Sequence, residues 1–301
     1  MPNWQALLNE VESTGSTHDV IRRKYLRRLY KKTGRNVILY YSGWLQKGDM
    51  GVGGFNISDA DKNGFMAVIH GMDRTKGLDL ILHTPGGDIA ATESLVDYLR
   101  SMFGSNIRAI VPQIAMSAGT MIALSCREII MGKHSSLGPI DPQLGNGIAA
   151  HGIIEEFEQA KADLKENLAL AHIWQPIIAK YSPTVIGECQ KAIKWSETIV
   201  KRWLIEGMFR DKQDPDAAAQ SVVDDLCSHS ITLSHSRHIS LKRAQELNLT
   251  VIPLESDQGL QDAILSVHHA CIHTLTRTPV IKLIENHRGV GFISAFAPQA
   301  P

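Results

Sequence analysis

Two corners of the sequence carry the residue types that acyl transfer needs. In "LILHTPGGDIAATESLVDYLR" (80–100) an apolar run passes through Thr84-Pro85-Gly86-Gly87 straight into a helical pattern. Leu80, Ile81 and Leu82 read as the end of a buried strand, and Ile89, Thr92, Leu95, Val96 and Leu99 recur at helical spacing. Glycines at a strand-to-helix corner let backbone N–H groups approach a ligand with no Cβ in the way, beside the positive end of the next helix. A developing oxyanion fits there; a tight turn that happens to use Gly is the plainer reading. In the second corner, "PQIAMSAGTMIALSC" (112–126), Ser117 falls where the strand "IRAIVPQ" gives way to a helix, with Ala115, Ala118 and Gly119 around it. A hydroxyl at a helix N-terminus lies beside free N–H groups, as in a nucleophile elbow. Ala115 stands where a G-x-S-x-G elbow has its first glycine, and a plain N-cap would use the same serine. Taken together, the backbone of Gly86 and Gly87, with Ala118 next to the serine, would hold the oxyanion, and Ser117 would attack.

Both corners need a sheet behind them. Strand "LDLILHT" is followed by helix "AATESLVDYLRSM", strand "IRAIVPQ", helix "AGTMIALSC" and strand "EIIMG". This alternation predicts βαβ crossovers and a mainly parallel sheet. Upstream, "NVILYYSGW" reads as a strand, "LQKGDMGVGGFNIS" as a Gly-rich loop without a phosphate-loop pattern, and Ser58 with Asp59 and Asp61 as the capped start of a helix. "DVIRRKYLRRLYKKTGR" (19–35) sets Ile21, Tyr25, Leu26, Leu29 and Tyr30 on one stripe amid Arg and Lys, an amphipathic basic helix that suits a solvated face over a core or subunit contact, or docking on acidic lipid or a nucleic acid. Four regions are expected: a basic helical arm over 1–35, an α/β core over 36–151, a charged all-helical excursion over 152–230, and a part over 231–301 that completes the core domain. The last of these reads as turn, helix, short strand and a helix through His273, then an irregular Pro-containing tail.

Composition narrows the function classes. At 301 residues, 44% hydrophobic and 21% charged, the chain can bury a substantial core as one large or two small domains. Lys+Arg 31 balance Asp+Glu 31, so no global charge draws it to nucleic acid, and no nucleic-acid partner is expected. Cys126, Cys189, Cys227 and Cys271 lie far apart without a CxxC, as in a reducing compartment. "MPNWQALLNEVESTG" has no apolar signal core and no long apolar run occurs, so the expectation is a soluble cytoplasmic protein. His268, His269, Cys271 and His273 cluster without a clean metal-ligand spacing, so neither a metal site nor a cofactor is expected.

"HTPGGDIAATESL", "AMSAGTMIALSCREIIMG", "SSLGPIDPQLG" and "LSHSRHIS" followed by "KRAQELNL" cover about half the chain in an order that resembles the Clp protease/crotonase superfamily, and within it the serine dehydrogenase proteinase group near signal peptide peptidases. The resemblance implies an α/β ClpP/crotonase-like ββα superhelix with added helical segments, homo-oligomeric assembly, and serine peptidase activity on a peptide or protein substrate. In Clp proteases the base is a histidine about 25 residues beyond the serine. Here that place holds "LGPIDPQ", with Asp141 and no histidine. The group's Ser, Asp, His order carries over to Ser117, Asp141 and His235, with Asp141 orienting the imidazole that takes the Ser117 proton; a turn residue before Pro142 and a capping histidine are the structural readings of the same two positions. Signal peptide peptidases use a Ser/Lys dyad instead, and Lys161 suits that spacing, with Lys165 one turn on. The acidic neighbours in "EEFEQAKADLKE" favour a charged, salt-bridged Lys161. Two other classes stay open: a catalytically silent member that binds peptides or scaffolds an assembly, and a crotonase-like enzyme on acyl-CoA that needs the oxyanion corner but no nucleophilic serine.

Overall fold

The computed structural model describes residues 10, 18–144, 147–227 and 234–296. Most of the expected arm before residue 18 lies outside them. The chain runs α1 (His18–Thr33), β1 (Asn36–Ser42), α2 (Asp59–Ile69), β2 (Leu78–His83), α3 (Ile89–Phe103), β3 (Ile107–Val111), β4 (Ile114–Ala115), α4 (Ala118–Leu124), β5 (Glu128–Met131) and β6 (Ser136–Leu137). It continues through a ribbon of β7 (Gln143–Leu144) and β8 (Ile148–Ala149), then α5 (Ala150–Glu166), α6 (Ala171–Ile178), α7 (Val185–Glu206) and α8 (Pro215–Cys227). It closes with β9 (Ile239–Ser240), α9 (Leu241–Glu246), β10 (Val251–Pro253), α10 (Gln258–Arg277), β11 (Val280–Asn286) and β12 (Gly291–Ala295).

The main sheet has seven strands in the order β10-β5-β3-β2-β1-β11-β12. Its first five are mutually parallel. β1 and β2 are buried at every position, which is why they read as continuous apolar runs and not as alternations. Alternation still sorts their side chains: Ile38 and Tyr40 join the core under α2, α3, α4 and α7, whereas Val37, Leu39 and Tyr41 pack under α1 and α10.

The tail expected to be irregular is instead β11 and β12, antiparallel additions beside β1. Charge disguises β11: Lys282 and Glu285 lie in the middle of a strand that is buried from Ile281 to Asn286. Glu285 accepts from Arg22 Nε at 2.5 Å and Arg23 Nε at 2.6 Å, and Arg22 is itself fully buried and also donates to Thr274. These bonds, with Ile21, Tyr25, Leu26 and Leu29 packed in the core under α10, make the basic amphipathic helix α1 a layer of the fold. In the helical excursion, α7 and α8 join the main core through Ile199, Trp203, Val222 and Leu226, while α5 packs on α7 through Ile153 and Cys189. No helix among the described residues is long and apolar enough to cross a membrane.

Candidate active site

A second, three-stranded sheet of two-residue strands, β4-β6-β9, gathers the singled-out residues. β4 leads into Ser117, and a bridge from Ala115 to Thr84 ties it to the Thr84–Gly87 loop. β6 pairs in parallel with β4 and antiparallel with β9, Ser136 facing Ser240 and Leu137 facing Ile239. Extended four residues beyond Leu137, that antiparallel register sets Asp141 opposite His235. The loop between is anchored on both sides of Gly138 and Ile140. Gly138 N donates to Thr120 Oγ1 at 2.9 Å, Ile140 N to Leu226 O at 3.0 Å, and Ser196 Oγ to Ile140 O at 3.0 Å. Thr120 belongs to the Met116–Thr120 corner, so one hydroxyl joins the serine segment to the aspartate segment.

Ser117 has φ 51° and ψ −119°, a left-handed backbone that costs a non-glycine residue about 1–3 kcal/mol. It precedes α4, yet its side chain makes no capping hydrogen bond. The hydroxyl therefore does not serve the helix, which sets aside the plain N-cap reading. Gly86 accommodates this turn: a Cβ on it would lie 2.6 Å from Ser117 Cβ and 2.8 Å from Met116 O.

Of the expected oxyanion donors, Gly86 does not fit. Its N–H donates to Thr84 Oγ1 at 3.2 Å, within the loop. Gly87 bridges Ile57 in parallel fashion: Ile57 N donates to Gly86 O and Asp88 N to Ile57 O, so the Gly87 N–H points to the other side of the chain. Ala118 N, at the first position of α4, has no carbonyl behind it in the helix to bond. Gly87 and Ala118 both line a cavity of about 430 Å³, and so do Ser117, Asp141 and His235. The glycine at 87 also has a fold role, because a Cβ there would sit 2.3 Å from Ile57 N and 2.4 Å from Ile57 O.

His235 Nδ1 and Asp141 Oδ1 are 2.8 Å apart, with the carboxylate fully buried and the imidazole 22% exposed. A carboxylate accepts, so Nδ1 is the donor in this bond and Nε2 is the ring nitrogen not engaged by Asp141. Asp141 Oδ2 is buried and has no partner among the described residues.

Lys161 is not brought to this place. It lies on α5 with its side chain 64% exposed, bonded to Glu158 at 2.6 Å, and it does not line the cavity. Lys165 follows on the same helix, also exposed. His268 and His83, in the core between α10 and the sheet, are held uncharged by burial: His83 is pushed down to about 3 and His268 well below the usual histidine range.

Sequence reasoning missed the support behind the loop. Lys282 Nζ donates to both oxygens of Asp61, at 2.8 and 3.0 Å, and to Asn56 O at 2.8 Å. Tyr40 Oη donates to Asp61 Oδ2 at 2.9 Å, and Ser58 N to the same oxygen at 3.0 Å. Burial, then the Asp61 charge, holds the Tyr40 phenol protonated well above its ordinary range. This network fixes the Asn56–Ser58 segment whose Ile57 clamps Gly86 and Asp88. The signal available was an acidic helix start three residues after Ser58; its counter-charge came from 221 residues away.

A protein-family model described as ClpP-like SDH-type serine proteinase matches residues 9–253. An uncharacterized protein of Methanocaldococcus jannaschii is 30% identical over 231 residues, which is 76% of this chain and 73% of that protein. A second uncharacterized protein of the same organism is 31% identical over 174 residues, 58% of this chain and 51% of its own length.

Proposed function

The chain belongs to the ClpP-like SDH-type serine proteinase family, and on that premise we propose that it cleaves peptide bonds through an acyl-enzyme on Ser117. His235 Nε2 takes the Ser117 proton as Oγ attacks the scissile carbonyl carbon, and Asp141 steadies the imidazolium that forms. The carbonyl oxygen becomes an oxyanion that accepts from the Gly87 and Ala118 N–H groups. His235 then returns the proton to the leaving amine, and water enters by the same base to release the acid. The Asp141–His235 bond on the wall that Ser117 shares carries this reading. Lys161, exposed and ion-paired, offers no competing base.

Labelling with a fluorophosphonate tests it. The wild type is expected to label on Ser117, with Ser117→Ala unlabelled and His235→Ala slowed to near background. Absence of wild-type labelling, together with saturable acyl-CoA binding, would favour the crotonase-like alternative.

A further inference from the structure

The basic face of α1 borders a second cavity that the peptidase reading does not use. Arg27 and Lys31 of α1, Lys76 from the turn before β2, and Arg288 after β11 converge on a space of about 430 Å³. It opens where β1 begins, at the other end of the sheet from Ser117, about 20 Å away along the six-residue β2.

One carboxylate, Asp73, faces these four cations. None forms an ion pair among the described residues, and Arg27 and Lys31, one helical turn apart, repel each other. Lys76 Nζ donates to Tyr30 Oη at 2.8 Å and Arg288 Nη1 donates to Gly71 O, so neutral acceptors hold two of the side chains. Gly71 makes room for this: a Cβ there would lie 3.1 Å from Arg288 Nη1, and its φ of +70° suits glycine. The single carboxylate on the wall, Asp73, accepts at Oδ1 from the Thr75 N–H at 3.2 Å and hydroxyl at 2.6 Å and attracts Lys76, so the four cations outnumber the one anion and the wall keeps a positive excess. Tyr30 and His287 form a flat side, stacked with ring centroids 4.1 Å apart and planes within 6°. His287 Nδ1 accepts from Val37 N at 3.2 Å, and burial keeps the ring's affinity for a second proton below the usual histidine range.

We propose that this groove binds a dianionic phosphate group. A carboxylate brings one charge and two oxygens, whereas a phosphate monoester brings nearly two charges and three terminal oxygens, matching four cations that approach from three separate elements. Guanidinium groups at two of the positions suit its planar oxygen pairs. The source is either a soluble phosphoester or a phosphomonoester lipid headgroup, since the groove is a surface feature beside a basic helix.

Calorimetric titration of the full chain with inorganic phosphate, at ionic strength fixed with chloride, tests the site. Saturable binding is expected in the wild type and in Ser117→Ala. Arg27→Gln/Lys31→Gln and Arg288→Gln should each weaken it by about tenfold or more. A control that removes two positive charges elsewhere, Lys165→Gln/Lys191→Gln, should not. Absent saturation in the wild type, or equal affinity in the groove variants, would overturn the proposal. Phosphatidylcholine vesicles with and without phosphatidic acid separate the sources: cosedimentation that phosphate competes away and the groove variants lose assigns the headgroup, and phosphate binding without cosedimentation assigns a soluble phosphate source.

Discussion

Asp61 and Asp141 are buried to nearly the same degree, at 2% and 1% exposure, one behind the large sheet and the other beside the small one. Every oxygen of Asp61 is occupied, by Lys282, Tyr40 and the Ser58 amide. Asp141 has one oxygen on His235 and one with no partner among the described residues. A buried acceptor left unmet costs on the order of 1–3 kcal/mol. The anchors at Gly138 and Ile140 keep it in place nonetheless. The difference separates support from chemistry. Asp61 is fully answered in the resting protein and fixes a loop, whereas in the proposed mechanism Asp141 keeps capacity for the positive charge that would form on His235 as Ser117 gives up its proton.

Asp141→Asn should slow single-turnover acylation by about 10³–10⁴-fold, because the imidazole loses its orienting charge, with little change in the thermal unfolding midpoint. A large fall in stability with acylation per folded molecule intact would make Asp141 structural like Asp61. The converse holds for Lys282→Met, which leaves Asp61 charged and unpaired in the interior. Urea unfolding should show a loss of about 3–5 kcal/mol, much of it recovered in Asp61→Asn/Lys282→Met; a loss below about 1 kcal/mol would mean the pair is dispensable.

His83 is an open buried group outside the lining of the Ser117 cavity: both ring nitrogens lack a partner among the described residues. Its affinity for a proton is pushed down to about 3 from 6.5 by burial. Between those values the unfolded chain binds a proton that the folded chain does not, so stability falls as pH falls through that window. The wild type should lose about 2 kcal/mol through this group on going from pH 7 to pH 5, and His83→Phe should not. Parallel pH dependence in the two proteins would contradict the assignment. The smallest effect belongs to Lys161→Ala: acylation within about twofold and stability within about 0.5 kcal/mol, as for an exposed ion pair. Near-background acylation in that variant would revive the Ser/Lys dyad.

What could be read from the sequence follows the same division. The parallel strands were legible because strands buried on both faces are unbroken apolar runs, and the Thr84–Gly87 and Met116–Thr120 corners because each interrupts such a run without a polar linker. Asp141 and His235 came only through the family resemblance; their meeting depends on the pairing of two-residue strands too short to leave a periodic signal. β11 escaped because Lys282 and Glu285 look like surface charges, and Arg22 did the same within α1. Each is neutralised by a residue far along the chain, which no local window contains. The split between Gly86 and Gly87 depends on the Thr84 hydroxyl and the Ile57 bridge, contacts that two adjacent glycines do not announce.

The proposed mechanism turns on His235 as the base for Ser117. Single-turnover acylation of wild type and His235→Ala by an activated ester, with unfolding midpoints measured on the same preparations, addresses it directly. A fall of about 10³-fold or more at an unchanged midpoint is the predicted result. Acylation of His235→Ala at the wild-type rate would contradict it.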